Sequence, residues 1–255
     1  MNPFARSLVA CAVLASCAAP ARSEDAQELA KKLSNPVSDL VSVPLQFNWE
    51  FGHGPDEDTW QITNLQPVVP FQITANTNMI ARLIMPTVNT PGNTVEGDMT
   101  GSLFFSPARA GGVLWGAGPV LHLPRTGEKW GIGPTAVVLK QEGKVTFGAL
   151  VNHVWSFAGD EDAAEVNQTF LQPFFAIQAP KAMTFTIQSE TVADWEAPDG
   201  DEWTVPLNFQ VSKVAPFGPI AASYGGGVGF YLAAPPGGPE WKLRALVTLL
   251  LPGKK

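Results

Sequence analysis

From Leu40 onward the apolar residues recur at every second position. Val41, Val43, Leu45, Phe47, Trp49 and Phe51 alternate with Ser42, Pro44, Gln46, Asn48 and Glu50. In extended chain successive side chains point to opposite faces, so this pattern makes a strand with one apolar and one polar side. The pattern returns in Trp203, Val205, Leu207, Phe209 and Val211 against Thr204, Pro206, Asn208, Gln210 and Ser212, and again in Met183, Phe185 and Ile187 against Thr184, Thr186 and Gln188. Glycine and proline, 24 and 23 of 255 residues, leave little room for long helices and supply turns between strands. Cutting at the turn signals predicts about twelve strands, near 40–51, 60–72, 79–87, 98–106, 112–124, 130–140, 145–157, 166–178, 182–195, 203–214, 219–233 and 240–251. Echoes such as VPLQFN at 43–48 and VPLNFQ at 205–210 reuse one strand type without the fixed period of a blade or solenoid. No linker divides the chain, and the expected organisation is one all-β domain over 40–255.

Residues 1–23 read as an address. Arg6 lies in a short basic region, Leu8–Ala19 is apolar, and Ala21-Arg22-Ser23 offers small residues for cleavage before Glu24, the layout of a secretory signal. Leu14-Ala15-Ser16-Cys17 also fits a lipoprotein box, which would place a lipid on Cys17. Both cysteines, Cys11 and Cys17, fall in this segment, so the exported chain is expected to have no disulfide, thiol nucleophile or thiolate metal site. Residues 24–39 form a separate, periplasmic N-terminal segment. In it AQELAKKL (26–33) can make two helical turns before Ser34-Asn35-Pro36 stops them, either as a solvated tail or as a short helix plugging a lumen.

Periodicity does not say which face is the inside. A soluble barrel turns its apolar face inward, and a membrane barrel turns it toward lipid. Two patterns separate the cases. Acidic residues crowd the connections after odd-numbered strands, among them Gly52–Thr59, Ala158–Glu165 and Glu196–Glu202, whereas the other connections contain Glu142 as their one acid. A membrane barrel sorts its loops this way, with long loops outside and tight turns inside. Trp49, Trp60, Trp130, Trp155, Trp195, Trp203 and Trp241 also lie near the acidic connections, with Trp115 alone near the other end. Amphipathic rings collect in this way at a membrane interface. After the signal there is no apolar run long enough for a spanning helix. The formal charge of -7, with no basic tract, excludes a nucleic-acid partner. The expected fold is therefore an antiparallel transmembrane β-barrel of about 12 strands, exported to the cell outer membrane with lipid as its partner.

Several long stretches carry a resemblance: AKKLSNPVSDLVSVPLQFNWEFG (30–52), KWGIGPTAVVLKQEG (129–143), GALVNHVWSFAGDE (148–161), WTVPLNFQVSK (203–213) and GGPEWKLRALVTLL (237–250). Over about 30–252 the chain resembles a bacterial family of outer-membrane transporters catalogued with the MetA-pathway phenol-degradation proteins, some of them mislabelled neuromedin U. The resemblance implies an outer-membrane barrel with a transport role. It brings no established solute and no catalytic residues.

Alternation places Gln46, Asn48, Glu50, Arg82, His122, Gln188, Glu190, Asn208, Gln210 and Arg244 toward the lumen, with Thr100, Thr184, Asp194 and Lys242 beside them. Mixed charge with many amides suits a small wet channel or a binding site for a polar solute. The same groups could instead satisfy one another and fill a narrow barrel. Enzymatic chemistry is not expected. Asn152, His153 and Ser156 are close in sequence, but neighbouring strand residues face opposite ways and cannot converge on one reacting atom. No G-x-S-x-G or HExxH occurs, and the acid clusters Asp160–Asp162 and Asp199–Glu202 match no calcium-loop template. No cofactor and no metal site is assigned. The reading that follows is a passive pore or transporter for small solutes, the alternative being a non-conducting structural, binding or adhesion barrel.

Overall fold

A computed structural model describes residues 23–108 and 111–251. The cleavage signal, the lipoprotein box and both cysteines lie outside the described residues. One helix, α1 (Ser23–Leu33), precedes fifteen strands: β1 (Val41–His53), β2 (Asp58–Leu65), β3 (Val68–Thr74), β4 (Thr77–Thr90), β5 (Asn93–Glu96), β6 (Met99–Pro107), β7 (Val113–Leu123), β8 (Trp130–Glu142), β9 (Val145–Ala158), β10 (Asn167–Ala179), β11 (Met183–Ser189), β12 (Thr191–Asp194), β13 (Trp203–Phe217), β14 (Ile220–Ala233) and β15 (Trp241–Leu251).

Three pairs of these, β2/β3, β5/β6 and β11/β12, are interrupted single staves, so the fifteen segments make a closed antiparallel barrel of 12. Closure runs between the first and last strands, from Val41 opposite Leu251 to Phe51 opposite Trp241. Each interruption has a local cause. Pro67 separates β2 from β3, and Gly97-Asp98 separates β5 from β6. At Glu190, between β11 and β12, the neighbouring strands present Pro173 and Pro206, and neither has an N–H to donate.

The burial pattern is inverted relative to a soluble protein. Along β1, Ser42, Gln46, Asn48 and Glu50 are buried, and so are Asn208 on β13, Ser223 on β14 and Lys242, Arg244 and Thr248 on β15. The alternate positions face out: Phe185, Ile187, Phe230 and Leu232 are 45–68% exposed, against 2% for Asn208. In water each such exposed side chain forgoes about 1.5–3 kcal/mol of burial. Hydrocarbon removes that penalty, and closure of the sheet leaves no unpaired edge for lipid to meet. The two ends also differ. Trp60, Trp130, Trp155, Trp195, Trp203 and Trp241 ring the end carrying the longer loops, with Phe51 stacked on Trp241 at 4.1 Å and His53 on Trp60 at 4.1 Å. Tight turns such as Gly143-Lys144 close the opposite end.

Some staves approach too closely for any side chain. A Cβ on Gly133 would lie 1.7 Å from the His153 carbonyl oxygen, and one on Gly227 would lie 2.2 Å from that of Phe209. Glycine faces a crowded wall at both positions.

The N-terminal segment is packed at the turn end, not left as a solvated tail. Ala26 and Ala30 of α1 are buried against Leu40, Ala182, Val214, Ala221 and Leu250, with Leu29 and Leu33 beside them. Gln27 ties the helix to the β10–β11 turn, donating to the Ala179 carbonyl (3.4 Å) and accepting from the Ala182 N–H (2.9 Å). Gln141 donates to the Lys31 carbonyl at 3.0 Å. After the helix, Val37 is buried among Ile80, Phe104, Val137, Leu139 and Leu150.

Candidate functional site: the barrel interior

The interior is organised by one buried ionic network. Arg244 on β15 donates from both terminal nitrogens to Glu190, at 3.0 and 2.6 Å, and from Nε to Asn48 Oδ1 at 2.7 Å. A guanidinium holding a carboxylate by two parallel bonds fixes geometry as well as charge. Lys242, two residues earlier on the same face, stands 3.6 Å from Glu190 and 3.8 Å from Glu50. Tyr231 Oη donates to Glu50 at 2.5 Å, and its ring lies 5.0 Å from the Lys242 ammonium. His53 Nε2 is 3.4 Å from the other Glu50 oxygen. Glu190, at the break between β11 and β12, reaches past β13 and β14 to Arg244 on β15.

The remaining residues named from alternation are distributed around this network. Gln46 Nε2 donates to Asn48 Oδ1 (3.4 Å), and Gln188 links Gln172 (3.1 Å) to Glu190 (3.3 Å). Asn208 and Gln210 lie inside on β13, with Asn208 Nδ2 and Gln210 Nε2 making no protein hydrogen bond among the described residues. Arg82 donates to Gln66 at 2.9 Å and lines a separate cavity with His122. The ten residues therefore do not form one site. Gln46, Asn48, Glu50, Gln188, Glu190 and Arg244 belong to the network, Asn208 and Gln210 stand on the wall nearby, and Arg82 and His122 face the second space.

That space is an inner cavity of about 140 Å³ lined by Arg82, Thr100, Ser102, His122, Asn152 and Gln168, with Leu150, Val154, Phe170 and Val192 as its apolar wall. A vestibule of about 370 Å³ at the loop end is lined by Asp194, Asp201, Glu202, Thr204 and a pair of prolines, Pro235 and Pro236. Gln168 and Val192 line both spaces. Below the cavity, toward the turns, Leu150 and Phe170 belong to the apolar cluster that holds Val37.

Tyr231 was not among the residues expected here. Its strand neighbours Phe230 and Leu232 are exposed, so alternation alone was the available signal. The inward apolar residues Ile80, Phe104, Leu139 and Leu150 also depart from the expected polar lining. Asn152 lines the cavity, while His153 pairs with Thr169 Oγ1 (2.7 Å) and lies 4.1 Å from the Trp155 ring. The two side chains share no common point.

The geometry can be set beside known structures. NanC porin superposes with a TM-score of 0.59 at 11% identity, covering 82% of this chain and 99% of that one. An outer membrane channel from Pseudomonas putida F1 gives 0.57 at 14% identity, covering 84% and 96%. The fold is that of the outer-membrane porin and channel barrels. In sequence, no family model and no curated protein matches the chain.

Proposed function

We propose that the chain acts in the outer membrane as a passive pore or transporter for small solutes, in line with the transporter family it resembles. The observation that supports this most is a loop-end vestibule and an inner cavity that share Gln168 and Val192 in their walls. In this reading the acidic loops face outward and residues 24–39 lie on the periplasmic side. Solutes enter through the vestibule and pass Arg82, His122 and the Glu50–Glu190–Arg244 network, which set charge selectivity. The inner cavity joins a guanidinium, amides and hydroxyls to an apolar wall. That chemistry favours a small solute with a polar or anionic head and an apolar body.

One observation favours a second reading, a non-conducting barrel with a structural, binding or adhesion role. The turn end is filled by α1 and by Val37 in its apolar cluster, so solutes reaching the cavity have no open exit until that segment moves. The test is ion and small-solute flux through the refolded protein in liposomes, with Glu50→Gln and Arg82→Ala alongside. Flux whose charge selectivity shifts in these variants is the expected result. An inserted, folded barrel without flux replaces the pore with the second reading, and failure to insert overturns both.

A further inference from the structure

Beside the inner cavity, toward the loop end, three chain segments bring ligand atoms together. Asp98 lies at the junction of β5 and β6, His122 near the end of β7, and Glu128 in the loop before β8. One oxygen or nitrogen from each falls within 4.8 Å of the others. His122 Nε2 and Glu128 Oε2 are 2.8 Å apart. Metal–ligand bonds of about 2.0–2.2 Å put ligand atoms roughly 3–4 Å from one another, so modest side-chain adjustment completes a shell. Despite its short distance to Glu128, His122 Nε2 is fully buried with no well-aligned hydrogen bond, and its side chain is 11% exposed.

All three residues are anchored from outside the cluster, Asp98 through its side chain and His122 and Glu128 through the backbone around them. His122 is fixed in the ladder between Thr100 and Gly131. Asp98 accepts hydrogen bonds from the Thr126 N–H (2.8 Å), the Arg125 N–H and the Thr126 hydroxyl. Glu128 is flanked by two bonds to Ala164, which donates to the Gly127 carbonyl (3.3 Å) and accepts from the Lys129 N–H (2.9 Å). The nearby cations are engaged elsewhere: Arg125 pairs with Glu96 and Lys129 with Glu165. Among the described residues, neither Asp98 nor Glu128 has a Lys or Arg partner within 4.0 Å.

We propose that Asp98, His122 and Glu128 form a binding site for a first-row divalent transition-metal ion, with Zn2+ the best fit by ligand type. Two carboxylates and a neutral imidazole supply the charge a divalent cation neutralises. A nitrogen ligand with three protein donors favours such an ion over Ca2+, which takes six to eight oxygens. The bound ion ties the β5–β6 junction to the β7–β8 loop and keeps at least one coordination position for water or a solute oxygen. Because His122 also lines the inner cavity, the ion stands at that cavity's wall. The site does not depend on whether the barrel conducts.

The experiment is titration of chelator-treated, detergent-purified barrel with Zn2+ by calorimetry and with Co2+ by visible absorption. The expected result is one equivalent bound, a Co2+ spectrum with nitrogen ligation, and little competition from excess Ca2+. His122→Ala and Glu128→Gln each weaken Zn2+ binding by at least about 10-fold, and Thr126→Val weakens it through Asp98 by about 10-fold. Glu128 is partly exposed in a loop, so its variant keeps the barrel folded, checked by heat-modified gel mobility. Glu161→Gln, in a separate acidic loop, leaves binding unchanged. Absence of a one-equivalent step, equal affinity in Glu128→Gln and parent, or displacement by Ca2+ would each overturn the site.

Discussion

Replacing Glu190 with Gln removes one negative charge from the middle of the lumen while preserving its shape. The carboxylate takes two hydrogen bonds from Arg244 and lies 3.6 Å from Lys242, cations whose side chains are 2% and 5% exposed. After the substitution Glu50, 3.8 Å from Lys242, is the remaining carboxylate near them. Removing one member of a buried pair costs about 3–5 kcal/mol, chiefly because the other charge stays behind without its partner or water. Glu190 is itself 21% exposed to the lumen, which places the expected loss near the lower end, about 3 kcal/mol. Arg244→Met removes the opposing charge, so the double variant loses less than the two single losses combined, with a coupling of about 2 kcal/mol. The assay is urea unfolding of the refolded barrel in lipid vesicles, followed by tryptophan fluorescence at low and high salt. A Glu190→Gln loss below about 1 kcal/mol with additive variants would mean that lumen water screens the pair as it screens a surface ion pair. The network would then not organise the interior.

Three further outcomes are expected. Gly133→Ala prevents refolding, because its Cβ meets the His153 carbonyl at 1.7 Å, whereas Gly101→Ala, with its nearest neighbour 3.9 Å away, folds like the parent; gel mobility with and without heating separates them. Ile187→Arg on the outer face costs about 2–4 kcal/mol in a bilayer if that position lies near its midplane, and a near-zero cost in urea unfolding would argue against lipid contact there. Ala30→Asp places a carboxylate in the apolar seat of α1 and releases the segment, giving faster proteolysis near residue 30 and larger liposome conductance, while unchanged values of both would show that α1 does not close the turn end.

The twelve staves were readable from sequence because alternation and turn residues are local signals. Their interruptions were readable only in part. Residues 182–195 look like one strand, and nothing within that stretch announces the break at Glu190. The prolines opposite it, Pro173 and Pro206, belong to strands whose pairing is known only once the sheet is assembled. The helix was visible in AQELAKKL, and the alternative of a lumen plug was open. Its seat was not legible, since Ala182 comes from the β10–β11 turn and Val214, Ala221 and Leu250 from β13, β14 and β15, all far from the helix in sequence. The partners inside the lumen are equally non-local. Alternation turns Glu190 and Arg244 inward, but only the assembled, curved sheet brings them together across 54 positions of sequence.

A uniform rule of polar inside and apolar outside describes the wall that carries the ionic network; it gives way locally at the buried Val120, Val154 and Val166 and most widely at the turn end. Ile80, Phe104, Leu139 and Leu150 point inward there, as do Val214 and Leu250 on the other side. The physical reason is that this part of the interior is not a water-filled space. Residues 26–40 occupy it, and Ala30 and Val37 are as buried as in a soluble core. Apolar lining is stable where protein fills the lumen, and charged or amide lining is stable where water or paired charge does. The interior therefore changes solvent along its axis, from the network of Glu50, Glu190 and Arg244 to a dry core sealed by the chain's own N-terminal segment. If the barrel conducts as proposed, passage from one end to the other requires that apolar core to open, which would tie conductance to the packing of α1 and Val37 as closely as to the charges above them.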